Sequence, residues 1–158
     1  MIGFGSNLGD REGNLRRAAE SLSRSRGVRW GSMSAIRETE PVGDPRDGPL
    51  GGAYLNAAAE VLSSLEPREL LDLCLTIEKC LGRVRTGLNS PRTIDLDILL
   101  FGDRVVNEPA LAIPHPRLLD RAFVLEPLAE IAPLRRHPVT GKTLAQHWTE
   151  WRAGHDRR

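Results

Sequence analysis

The chain has 158 residues, enough for one domain with a real core and short for two. Hydrophobic residues make up 40% and charged residues 27%, which excludes a disordered polar chain. With 22 Lys plus Arg against 21 Asp plus Glu, there is no global pull toward nucleic acid or a membrane surface, so an anionic ligand needs a local cluster.

Met1 to Phe4 reads as a strand cut short at its start, leading into a Gly5-Ser6-Asn7-Leu8-Gly9 loop. Asp10 is placed to cap a helix with the apolar stripe Leu15, Ala18, Ala19 and Leu22, ending near Gly27. Val28 to Arg37 reads as a strand. The Gly/Pro-rich stretch from Glu40 to Gly52 is long for an unstructured connection, which favours ligand gating over disorder. Tyr54 to Leu62 alternates, with Leu55, Ala57, Ala59 and Val61 on one face and Tyr54, Asn56, Ala58 and Glu60 on the other.

Pro67 opens a second helix whose stripe is Leu70, Leu71, Cys74, Ile77 and Leu81, with Gly82 as its stop. Cys74 and Cys80 turn to different faces of this helix and cannot pair within it. Thr93 to Phe101 is a further strand, turning at Gly102-Asp103 into Val105-Val106. The Pro-rich stretch from Pro109 to Pro116 leads to short helical pieces around Arg121 to Ile131. A last amphipathic helix runs from about Lys142 to Trp151, and the polar tail from about Arg152 is expected to fray. The order strand, helix, strand, strand, helix, strand favours a ferredoxin-like α+β sandwich, with a mainly antiparallel sheet and helices packed on it. One domain over 1–158 is expected. No run reaches 18 apolar residues, no basic leader precedes Gly3 and the two thiols look unpaired, so the chain is expected to be soluble and cytoplasmic.

The sharpest chemical feature is Asp95-Leu96-Asp97. On a strand, residues i and i+2 share a face, about 6.6 Å apart. Two carboxylates there, beside the apolar run Ile98 to Phe101, repel each other unless a cation lies between; an exposed polar strand face is the plainer account. With no cysteine or spaced histidine nearby, a hard ion such as magnesium suits them. Arg83, Arg85 and Arg92 bracket the short loop before the pair, and guanidinium forks bind phosphate oxygens, although simple ion pairs also fit. Pro114 and Pro116 stiffen His115. Tyr54, Asn56 and Phe123 are candidates to stack and hydrogen-bond a planar heterocycle, or else to pack in the core. The opening glycines do not match a dinucleotide fingerprint, and there is no P-loop.

Together, Gly5-Ser6-Asn7-Leu8-Gly9-Asp10, Tyr54-Leu55-Asn56-Ala57, Ile77-Glu78 with Gly82-Arg83-Val84-Arg85, Pro91-Arg92-Thr93-Ile94-Asp95-Leu96-Asp97-Ile98, and Ile113-Pro114-His115-Pro116 with Arg121-Ala122-Phe123 resemble, in order and spacing, the 6-hydroxymethyl-7,8-dihydropterin pyrophosphokinases. The resemblance spans about residues 3 to 133. It implies a monomer that moves a pyrophosphoryl group from ATP to the pterin alcohol and releases AMP. It implies two magnesium ions on Asp95 and Asp97, and Arg83 and Arg92 as the catalytic cations. Glu78, Arg83, Arg85, Arg92, Ile98, His115 and Arg121 would contact ATP; Thr39, Val42, Tyr54, Asn56 and Phe123 would contact the pterin. No nucleic-acid or membrane partner is expected. Some relatives carry a tryptophan before Pro91, where Gly87 to Ser90 has none; Ala110 and Ala112 would leave adenine to backbone groups. The first strand also lacks several residues usual before Ile2, which suggests a trimmed start or a weakened edge strand. A metal-dependent sugar-nucleotide transferase and an inactive nucleotide-binding module are the competing readings.

Overall fold

The computed structural model describes residues 1–41, 51–84 and 91–155. Strands β1 (Ile2–Ser6), β2 (Val28–Met33), β3 (Arg37–Thr39), β4 (Tyr54–Ser63) and β5 (Asp95–Ile98) form one sheet, ordered β2-β4-β1-β5 with β3 also on β4. These strands pair antiparallel, and the fold is ferredoxin-like. β1 is not an edge strand: it is flanked by β4 and β5, with Phe4 opposite both Ala57 and Leu96. Its centrality was hidden because Gly5 and Ser6, read as loop, continue the ladder.

Helices α1 (Arg11–Ser23) and α2 (Pro67–Cys80) cover one face. Asp10 caps α1 by accepting from Gly13 N–H at 3.0 Å, satisfying an otherwise orphaned donor. Leu15, Ala18 and Leu22 of α1, and Leu70, Cys74 and Ile77 of α2, pack on Ile2, Phe4, Ala57, Ala59, Leu96 and Ile98. Cys74 is buried and Cys80 exposed, both free. On the other face, α3 (Ala122–Ile131) and α4 (Leu144–His155) close a smaller core of Ala58, Leu99, Leu118, Leu125, Leu128 and Leu144. They cover that face only in part, and the remainder is open.

Four local expectations differ. The Val28 to Arg37 strand is broken: the register shifts between Trp30 and Met33, and Ser34 takes Ala58 O and Ala58 N–H as partners between β2 and β3. The Pro-rich stretch contains a hairpin, β6 (Val106–Glu108) with β7 (Leu111–Ile113), since its prolines fall in the turn and after the strand, where no ladder donor is needed. The pieces around Arg121 to Ile131 form one helix despite Pro127, whose burial with Leu125 and Leu128 offsets the lost hydrogen bond. The last helix continues through His155, past the expected fray point at Arg152.

Candidate active site

Pairing brings Asp97, Gly3 and Ala58 into one row across the sheet, and Asp95, Gly5 and Asn56 into the next. The alternation that sends Leu96 and Ile98 into the α1/α2 core turns the two aspartates to the open face. Glycines at the middle of each row leave a trough between the acids and Asn56. A Cβ on Gly5 would lie 3.6 Å from Asn56 Oδ1, 3.7 Å from Tyr54 Cδ1 and 3.9 Å from Asp95 Cβ, so the missing side chain is the floor of the cleft. The cleft is open and is bordered by Thr39, Tyr54, Asn56, Arg92, Asp95, Asp97, His115, Arg121 and Phe123. Nine of the side chains proposed from sequence therefore meet there.

The acids and cations are interlocked. Arg83 Nη1 lies 2.5 Å from Asp95 Oδ1, and Arg92 Nη1 lies 2.6 Å from Asp95 Oδ2, so one carboxylate is held between two guanidiniums. Among the described residues, no arginine clasps Asp97 in this way. Burial, then the charges of Asp95 and Glu78, push its carboxyl up to about 7, against the pull of Arg92 and Arg83. An acid so disfavoured in its charged form beside a second acid is a place where a divalent cation lowers the free energy. Among the described residues no three or more His, Cys, Asp or Glu side chains converge on a metal position. Two carboxylates without a closing protein cage fit magnesium, which keeps waters and takes phosphate oxygens.

His115 is partly buried at the cleft wall. Its Nδ1 accepts from Arg117 N–H at 3.1 Å, which leaves the neutral ring's proton on Nε2. Burial, helped by Arg121, lowers its pKa, so the ring is a neutral donor at pH 7. The Arg121 guanidinium sits 5.5 Å from the centre of the Phe123 ring. Asn56 Nδ2 donates to Thr39 Oγ1 at 2.7 Å, which fixes the amide. Burial raises the Tyr54 pKa, and the ring stays a neutral phenol.

Two residues expected near nucleotide take other positions. Glu78 is buried on α2, where Oε1 accepts from Arg83 at 2.6 Å and from Leu96 N–H at 2.8 Å. Its carboxylate supports Arg83 and the rim of β5 instead of facing the cleft. Ile98 points into the α1/α2 core, so it offers a ligand only its backbone. Val42, Arg85 and the 87–90 loop lie outside the described residues. Sequence reading missed Gly3, Gly5, Leu99 and Val124 as lining groups; the glycines carry no signal until register is known.

The family model for 7,8-dihydro-6-hydroxymethylpterin-pyrophosphokinase matches residues 1–133. The chain is 47% identical over 130 residues to the Bacillus subtilis 2-amino-4-hydroxy-6-hydroxymethyldihydropteridine pyrophosphokinase, covering 82% of this chain and 75% of that one. It is 42% identical over 147 residues to the Pneumocystis carinii folic acid synthesis protein fol1, covering 93% of this chain but 19% of that protein. A solved HPPK-DHPS structure in complex with substrates superposes with a TM-score of 0.76 at 14% identity, covering 99% of this chain and 44% of that one. This chain therefore spans most of one relative and a minor part of the longer ones. The chain belongs to the 7,8-dihydro-6-hydroxymethylpterin-pyrophosphokinase family.

Proposed function

We infer that this chain transfers a diphosphate from ATP to 6-hydroxymethyl-7,8-dihydropterin in folate synthesis, giving the pterin diphosphate and AMP. The observation that carries this reading is the single trough in which Asp95, Asp97 and Arg92 face Tyr54, Asn56 and Phe123 across two glycines. One end suits a polyphosphate, the other a flat polar ring. The hydroxymethyl oxygen forms a bond to the β-phosphorus, the bond from that phosphorus to the α,β-bridging oxygen breaks, and AMP leaves while the hydroxyl proton passes to solvent.

Asp95 and Asp97 would hold two magnesium ions, which when bound neutralise phosphate charge. Arg92 would turn from Asp95 to the moving diphosphate, and Arg83, kept in place by Glu78, would add positive charge behind it. His115 donates Nε2–H to a phosphate oxygen, and Arg121 supplies a further cation. Asn56, oriented by Thr39, offers Oδ1 to a ring N–H, while Tyr54 and Phe123 hold the ring's faces. By the family resemblance, Arg85 would contact ATP and Val42 the pterin, and Ile98 would contribute backbone. Catalysis on this reading is positioning plus charge stabilisation, with no strong protein base. A sugar-nucleotide transferase is not favoured by the family assignment. No described helix is long and apolar enough to cross a membrane. On this reading the chain would act on small molecules alone, as a monomer in the cytoplasm.

The test is direct. Protein, magnesium, ATP and reduced hydroxymethylpterin are incubated and the adenine products separated; AMP formed one-for-one with pterin diphosphate is expected. ADP as the only adenine product would exclude this transfer.

A further inference from the structure

Asn7 belongs to a motif that the reaction above leaves without a task. It sits in the turn between β1 and α1 and is 5% exposed. A buried asparagine in such a turn ordinarily completes the turn's own hydrogen bonds. Here Asn14 does that work, donating Nδ2–H to Leu8 O at 3.0 Å. Asn7 instead reaches residues 45 and 85 positions away. Its Oδ1 accepts from Arg92 N–H at 2.7 Å, and its own N–H donates to Arg92 O at 3.1 Å. Both backbone polar groups of Arg92 are thus held by one residue. The Asn7 Nδ2 donates to Gly52 O at 3.3 Å.

The same knot takes in Gly51 and Pro91. Gly51 has φ +73°, and a Cβ there would lie 2.6 Å from Asn7 Nδ2 and 3.0 Å from Pro91 Cγ. Ser6 extends the clamp by donating Oγ–H to Thr93 O at 2.6 Å. The two chain segments so joined both serve the cleft. One carries Arg92, whose guanidinium meets Asp95; the other runs directly into β4 with Tyr54 and Asn56. Joining them needs an acceptor and a donor on one small planar group, which asparagine has and aspartate or serine lacks.

We propose that Asn7 is a positioning residue that fixes the Arg92 backbone to the Gly51–Gly52 segment, setting the catalytic guanidinium relative to the pterin end of the cleft. This rests on the diphosphate transfer inferred above for its kinetic consequence, but the clamp itself is readable without turnover. In Asn7→Ala, hydrogen–deuterium exchange at the Arg92 amide is expected to speed up about tenfold or more. In the AMP assay kcat is expected to fall roughly tenfold to a hundredfold, with the ATP KM held within about threefold. If Asn7 acts through Arg92, Asn7→Ala added to Arg92→Ala slows the enzyme no further.

Asn7→Asp keeps the shape and the acceptor but sets a carboxylate against Gly52 O. It should keep the Arg92 amide protected and raise the pterin KM about tenfold. This near-isosteric variant decides the matter should Asn7→Ala not fold. Unchanged Arg92 exchange in Asn7→Ala, additive losses in the double variant, or an unaltered pterin KM in Asn7→Asp would each overturn the proposal. A wild-type protein that makes no AMP but shows the expected exchange pattern would instead sink the inferred reaction and leave the clamp standing.

Discussion

The two faces of the central sheet, built from the same few strands one residue out of step, have opposite compositions. On the α1/α2 side, Ile2, Phe4, Ala57, Ala59, Leu96 and Ile98 are buried and apolar. On the other side the same strands show Gly3, Gly5, Asn56, Asp95 and Asp97. The period of two lets a fold-holding residue and a ligand-facing residue be chain neighbours without sharing an environment. Stability and chemistry should therefore separate cleanly between adjacent positions.

The largest expected effect breaks the polar face alone. Asp95→Ala removes the carboxylate that gathers Arg83 and Arg92, and should cut kcat about a thousandfold. Its neighbour should behave in the opposite way. Leu96, 3% exposed, is in the α1/α2 core, so Leu96→Ala should lower unfolding free energy by about 2–4 kcal/mol in denaturant titration. Turnover of the folded fraction should stay within about threefold. Loss of kcat without loss of stability at Leu96 would show that the faces are not independent.

A third test uses pH. The Asp97 carboxyl is raised from 3.8 to about 7 by burial and by Asp95 and Glu78. Between those values the folded chain holds a proton that the unfolded chain has lost. The associated stability is complete below pH 3.8 and is lost as pH rises through about 7. In metal-free protein at pH 8, Asp97→Asn should therefore stabilise the fold, by roughly 1–4 kcal/mol, and the gain should fade toward pH 4. Thermal unfolding at the two pH values checks it; magnesium with ATP should erase the difference by stabilising wild type alone. The smallest effect concerns the trough floor. Gly5→Ala meets ordinary contact distances and should leave stability nearly unchanged, but its methyl stands where ligand must lie, and the pterin KM should rise about tenfold.

Much of this was legible from the sequence where one strand or helix carried the whole signal. Asp95 and Asp97 on one face, the Asp10 cap and the Pro67 helix start all followed from spacing within a single element. What needed a second strand was not. The role of Gly3 and Gly5 depends on standing opposite Asp97 and Asp95, a register no single segment encodes. The family resemblance implied Glu78 as a nucleotide contact, yet its helix turns it inward to Arg83 and Leu96. The period-two rule that faced the aspartates outward already implied that Ile98 faces the core. The hairpin at 106–113 was not legible because each of its strands is three residues long, too short for an alternating pattern to show; its prolines fall only where no ladder donor is needed.

The inward turn of Glu78 matters for how separate molecules meet. β5 ends the sheet, and an open strand margin presents amides that can recruit a strand from another copy. By taking the Leu96 amide hydrogen intramolecularly, Glu78 occupies one rung of that margin, with the α2 helix standing beside it. The acid that braces Arg83 thus also covers one rung of the sheet's margin, so a site-facing contact and the closure of an edge meet in one side chain.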